Sequence, residues 1–363
     1  MADPRSGVAE ALIQGPTWFL ARGEPGLGRL METISLAGIV AAAQRSRRVR
    51  VATSSSAVAI AERLVKGRVD RLDLGGGDDL QQALIDSEGV QRLLERVSRC
   101  RPAAIVVDGY PILLPLLRQV SDARLVVLAN LHDLRNPAHS QGARLLQEAL
   151  HVAADLIVIS ELRRGWTHGR VQQVPLLRIP ALVRTDALRK SRPVGVAQPY
   201  VAVLGGGSRG DLRLAQSTQA ILEALDRAVA AHVLPGCHVY AGTGINFGPG
   251  RYRHLVAGDP VEGIRALTAA RLVVVRAGRS TLAEILASQR AAVVVAAESD
   301  TLRGAEQVSN AAAAAALSPA VVPMSTENLG DLGARCRQAL SATPAAWRPG
   351  NDSWWRALQA IGV

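Results

Sequence analysis

The run Tyr200-Val201-Ala202-Val203-Leu204-Gly205-Gly206-Gly207-Ser208-Arg209-Gly210 reads as a strand, a glycine-rich turn and the entry to a helix. Its apolar start shows no polar alternation, as expected of a parallel-sheet strand buried on both faces. The same unit recurs in both directions. Downstream, apolar runs at 238–241, 272–275, 291–295 and 320–322 alternate with helical patterns over 211–231, 261–269, from 280, from 305 and over 327–340. Upstream, runs at 17–21, 49–52, 71–74, 104–107, 125–129 and 155–159 alternate with patterns such as 30–44 and 80–98. Between the two series, 174–199 is broken by Pro175, Pro180, Pro193 and Pro199 and reads as a linker. The expected fold is α/β with two doubly wound, Rossmann-like domains. We expect an amino-terminal domain over 1–180, a linker over 181–199, a second domain over 200–345 and a short amphipathic helix within 346–363 carrying Trp354 and Trp355.

Composition agrees. The 363 residues suit two cores, since domains usually hold about 100–200 residues. No apolar run reaches the ~18 residues needed to span a bilayer, which leaves only peripheral contact with a membrane open. Residues 1–15 lack the basic and apolar pattern of a secretory signal, so the expected location is the cytoplasm. Cys100, Cys237 and Cys336 are odd in number and widely spaced, and read as small buried residues. The net charge of +11 rests almost entirely on Arg, with Lys66 and Lys190 as the exceptions. Aromatics make up 3% of the chain and do not interleave with the basic residues, which argues against a nucleic-acid partner.

Parallel sheets bind ligands beyond the carboxyl ends of their strands, so the strand-to-helix loops carry the functional reading. In the loop Gly205–Gly210 the residues Gly206, Gly207 and Ser208 would let an anion approach backbone N–H groups at a helix start, though a tight turn explains the same glycines. It is not a Walker loop, because no Gly-Lys-Ser/Thr follows. In Gly278-Arg279-Ser280-Thr281-Leu282-Ala283-Glu284, Ser280 is the expected N-cap, and Thr281 and Glu284 share one face of the opening turns. A carboxylate there can accept hydrogen bonds from the vicinal hydroxyls of a ribose. Glu306, Gln307 and Asn310 offer a carboxylate and amides suited to sugar hydroxyls.

This trio of loops, with Glu306-Gln307-Val308-Ser309-Asn310-Ala311 as the last, resembles the donor half of GT-B glycosyltransferases, most closely the branch around the N-acetylglucosaminyltransferase MurG. The resemblance covers about residues 175–320 and implies two domains facing across a cleft. It places Ser208 and its neighbours at the nucleotide, Glu284 at the ribose, Gln307 at the donor sugar and Ile264 at a backbone contact to the base. Pro180-Ala181-Leu182-Val183-Arg184-Thr185-Asp186 is similar to the family's interdomain segment and puts Arg184 near the diphosphate.

The amino-terminal half departs from that family. Gly28 and Arg29 follow the first strand, and Arg29 stands where the family has a histidine. Arginine stays protonated and cannot act as a base, but it can hold a phosphate or an acceptor carboxylate. The candidates for the base are His132 with Asp133, in a segment that resembles the family's His-Glu run, and after them Asp108. The resemblance implies metal-independent, inverting transfer of a sugar, N-acetylglucosamine by family analogy, from a UDP-sugar to a small-molecule hydroxyl. No Asp-x-Asp pair or His/Cys cluster suggests a metal, and no cofactor beyond the co-substrate is expected. A hydrolase of the same fold, peptidoglycan MurG itself and a non-catalytic nucleotide-sugar binder remain as alternatives.

Overall fold

The computed structural model describes residues 7–23, 28–44, 49–65, 68–71, 88–135, 141–184, 200–204, 212–234, 237–241, 254–257, 260–296 and 302–360. The chain divides into two compact units, one of Met1–Glu161, Gly165–Leu182 and Gly350–Val363, the other of Leu162–Arg164 and Val183–Pro349.

The first unit is built on β1 (Thr17–Ala21), β2 (Val49–Thr53), β3 (Arg68–Arg71), β4 (Ala104–Asp108), β5 (Arg124–Ala129), β6 (Leu156–Glu161), β7 (Thr167–Val171) and β8 (Val174–Pro180). Their order is β3-β2-β1-β4-β5-β6-β8-β7. All pairs are parallel except β7 with β8. Every residue of β1 is buried, with Trp18 and Leu20 in one apolar layer and Phe19 and Ala21 in the other. Successive strand side chains point to opposite faces, so the unbroken apolar run is what a helix-covered sheet requires. One layer is closed by α4 (Glu88–Cys100), α5 (Leu113–Val120) and α7 (Gln141–Ala153), the other by α1 (Val8–Gln14), α2 (Gly28–Ala43) and α3 (Ser55–Leu64). The short α6 (Leu131–Arg135) follows β5.

The reading of 174–199 as a linker is corrected at its start, because Val174–Pro180 is a strand paired on both sides. Pro175 pairs with β7 but precedes the β6 register, which begins at Leu176, while Pro180 faces β6 beyond the last residue paired with β7. Each proline therefore sits where a donor is needed on one side at most, which is how a strand tolerates it. Arg178 and Glu161 tie β8 to β6 through two 2.8 Å hydrogen bonds. The chain returns to this unit at its carboxyl end. Gly350 N donates to Ala181 O at 3.1 Å, and α13 (Trp354–Ala360) buries Trp354, Ala357 and Leu358 against Leu177, Ile179 and Leu182.

The second unit is a six-stranded parallel sheet in the order β11-β10-β9-β12-β13-β14. Its strands are β9 (Tyr200–Leu204), β10 (Cys237–Ala241), β11 (His254–Ala257), β12 (Leu272–Arg276), β13 (Ala291–Ala296) and β14 (Val321–Ser325). Helices α8 (Leu212–Ala230), α9 (Pro260–Ala269), α10 (Arg279–Ala287), α11 (Leu302–Leu317) and α12 (Leu332–Ser341) connect and cover them. Cys237 and Cys336 are buried in its core, where desolvation pushes the thiols up to about 11 and about 12 and keeps them protonated. Cys100 departs from expectation: it is exposed at the last residue of α4, with Arg50 Nη1 3.8 Å from its sulfur. It lies outside the apolar stripe Val90, Leu93 and Val97 that α4 buries.

Candidate active site

Both sheets reverse their strand order at one point, between β1 and β4 in the first unit and between β9 and β12 in the second. Loops leaving neighbouring strands there go to opposite faces, which opens a crevice at the carboxyl edge.

In the first unit, Asp108 closes β4 and is 2% exposed. A buried carboxylate needs partners to offset its lost hydration. Arg29 Nη1 supplies one at 2.8 Å to Oδ1, and the Thr33 hydroxyl donates to Oδ2 at 3.2 Å. Arg29 and Thr33 are four residues apart on α2 and so stand on one face of it. The Arg22 amide donates to the Asp108 carbonyl at 3.0 Å, joining the end of β1 to that of β4. Gly109 follows at φ 81°, and a Cβ there would press within 2.9 Å of Arg22 Cβ and 3.1 Å of Arg29 Cδ. Glycine is needed at this position both for its backbone and for the space. The sequence reading missed Thr33; a lone threonine in an amphipathic helix gives no signal until the strand end it faces is known. His132 and Asp133 lie in α6, directly beyond β5, which pairs with β4. Their side chains lie outside the described residues.

In the second unit, Gly206, Gly207 and Ser208 lie outside the described residues, between β9 and α8. The loop after β12 is described in full. The N-cap of α10 is Gly278, with φ −76° and ψ 128°, and Leu282 N donates to its carbonyl at 3.0 Å. This corrects the expected N-cap: Ser280 is the second residue inside the helix, half-buried with Thr281. Glycine is a competent cap because the extended conformation at that position costs it nothing. Glu284, in the second turn of α10, is half-buried, and desolvation pushes its carboxyl from 4.5 up to about 7 while the Arg184 guanidinium opposes the shift. The two side chains are thus electrostatic neighbours, although one hundred residues separate them. Arg184 is half-buried at the start of the segment that enters this unit.

On α11, Glu306, Gln307 and Asn310 are half-buried on one face. Asn310 Nδ2 donates to the Ala277 carbonyl at 3.1 Å, so its amide holds the loop that precedes α10. Ile264 is buried in the second turn of α9, where its backbone groups serve the helix and a contact from them to a base would compete with that bonding. No cluster of three or more His, Cys, Asp or Glu that could hold a metal occurs among the described residues. No described helix is long and apolar enough to cross a membrane.

Two Rossmann-like units with these strand orders define the GT-B fold, and solved structures agree. The spinosyn forosaminyltransferase SpnP matches with TM-score 0.57 at 15% identity, covering 96% of this chain and 94% of that one. Arabidopsis thaliana UGT89C1, in complex with UDP-L-rhamnose, matches with TM-score 0.61 at 11% identity over 96% and 93%. Acinetobacter baumannii MurG matches with TM-score 0.53 at 13% identity over 95% and 99%. No family model matches the chain. No curated protein matches it in sequence.

Proposed function

We propose that this chain is a glycosyltransferase that moves a sugar from a UDP-sugar to a hydroxyl of a small-molecule acceptor, by inversion and without a metal. The observation that carries the reading is the Glu284–Arg184 pair on the second unit. It sets a half-buried carboxylate suited to ribose hydroxyls, on the helix that follows the reversal strand β12, within electrostatic reach of a guanidinium suited to a diphosphate. The loop Gly205–Gly210 adds backbone N–H groups for the diphosphate, and Gln307 with Glu306 meets the donor sugar, N-acetylglucosamine by family analogy. Structural neighbours whose names specify a glycosyltransferase, one of them bound to UDP-L-rhamnose, support this assignment.

The chemistry is displacement at the anomeric carbon. A base takes the proton of the acceptor hydroxyl as its oxygen bonds to that carbon, and the bond to the nucleotide diphosphate breaks. The leaving diphosphate is stabilised by Arg184 and helix amino termini, fixed positive ends that need not reorganise during reaction. The base is His132 with Asp133. Asp108 serves instead to orient Arg29, since each of its oxygens accepts a hydrogen bond from α2. Arg29 holds the acceptor by a negatively charged or polar group.

The test is to incubate the protein with UDP-N-acetylglucosamine and a panel of hydroxylated acceptors in EDTA and to read the products by mass spectrometry. Transfer to an acceptor with little loss in EDTA is expected. Release of free sugar regardless of acceptor would instead make the protein a hydrolase, and turnover only after added magnesium or manganese would overturn metal independence.

A further inference from the structure

We infer that Asn310 is a positioning residue that holds the nucleotide-binding turn from the helix that carries Glu306 and Gln307, rather than a ligand of the sugar; this rests on the reading of the second unit as the donor site. The inference comes from the direction of its one described hydrogen bond. The Asn310 side-chain N–H is given to Ala277 O at 3.1 Å, thirty-three residues back along the chain. Ala277 is fully buried, and its own amide donates to Val295 O on β13 at 3.2 Å. The turn after β12 is therefore gripped on one side by β13 and on the other by α11. The next residue, Gly278, supplies the first carbonyl of α10, so the position of Ser280, Thr281 and Glu284 follows from the position of this turn.

Asn310 also stands one turn beyond Glu306 and Gln307 on the same face of α11. The bond thus connects two sets of donor contacts, those of α10 toward the nucleotide and those of α11 toward the sugar. Without it, α11 keeps its backbone but loses this hydrogen bond to the β12–α10 turn. Alanine at this position leaves the helix intact, because alanine is the strongest helix former and residues 311–316 are already all alanine.

The experiment compares the parent chain with Asn310→Ala and Asn310→Asp by calorimetric titration of UDP alone and of UDP-N-acetylglucosamine. Loss of a net hydrogen bond should weaken UDP by about threefold to tenfold in the alanine variant. The aspartate variant should be weaker still, because a carboxylate oxygen then faces the Ala277 carbonyl. Both ligands should weaken by the same factor. Unchanged UDP affinity with weakened UDP-sugar would overturn the inference and make Asn310 a direct sugar ligand, as would an aspartate variant equal to the parent. A readout independent of nucleotide is amide hydrogen exchange across Ala277–Leu282, which should quicken in Asn310→Ala. If the parent binds no UDP but exchange quickens, the latch stands and the donor assignment fails; if exchange is unchanged, the latch itself fails.

Discussion

Arg29 Nη1 lies 2.8 Å from Asp108 Oδ1, a guanidinium one-third exposed against a carboxylate that is almost wholly buried. The geometry makes Asp108 the fixed partner and Arg29 the group that can meet a ligand. Arg29→Ala should therefore raise the acceptor KM with kcat little changed, because a contact present in both ground and transition states contributes uniform binding. Asp108→Asn keeps the size but loses the charge that orients Arg29, and should raise the same KM. Steady-state kinetics with varied acceptor checks both. A collapse of kcat in Asp108→Asn with UDP affinity intact would make Asp108 the base.

Base catalysis assigned to His132 and Asp133 has a different signature. Replacing His132 by Gln and Asp133 by Asn together should lower kcat by ~10²–10⁴-fold, the usual contribution of a positioned base. Donor affinity, measured by calorimetry, should stay at the parent value. Turnover at the parent rate would remove both residues from the chemistry.

The raised carboxyl of Glu284 predicts a pH dependence of known sign. Ribose hydroxyls donate to the ionised form, so UDP affinity should rise as pH rises through about 7. Folding runs the other way. The unfolded chain releases this proton near 4.5 and the folded one near 7, so the contribution of Glu284 to stability falls as pH rises across that window. Glu284→Gln should remove the part of both slopes that Glu284 contributes. The terminal phosphate of UDP itself titrates near about pH 6, and whatever slope remains in the glutamine variant measures that part. Equal slopes in parent and variant would contradict the assignment.

The sheets were legible because their central strands are apolar throughout: Thr17–Ala21 and Tyr200–Leu204 stand at the residues their composition marks. Edges were not. The strand Val174–Pro180, one in from an edge, was hidden by two prolines whose harmlessness depends on a register that no local pattern reveals, and His254–Ala257 is a four-residue edge strand opened by a polar residue. The segments proposed for the donor side were readable as loops between strand and helix. Their couplings were not, because Glu284 with Arg184 and Asn310 with Ala277 are far apart in sequence and meet only through the sheet. Thr33 was silent for the same reason.

The carboxyl-terminal helix is part of the first unit's core rather than an appendage. Trp354 is fully buried with Trp355 edge-on at 6.3 Å, so Trp354→Ala should cost ~3–5 kcal/mol. Gly350→Ala should also destabilise, since its new Cβ would collide with the Pro180 carbonyl oxygen, a backbone atom that cannot swing away. Denaturant melts read both effects. Parent-like stability for Trp354→Ala would mean that the helix does not dock as described.

The central claim is that the second unit holds a UDP-sugar through Glu284 and Arg184, and calorimetric titration of UDP into the parent and Glu284→Ala proteins tests it most directly. The account predicts saturable binding by the parent and a loss of about 10- to 100-fold in the variant, the worth of a charge-assisted hydrogen bond, with the fold retained. No binding by the parent, or equal affinity in the two proteins, would contradict it.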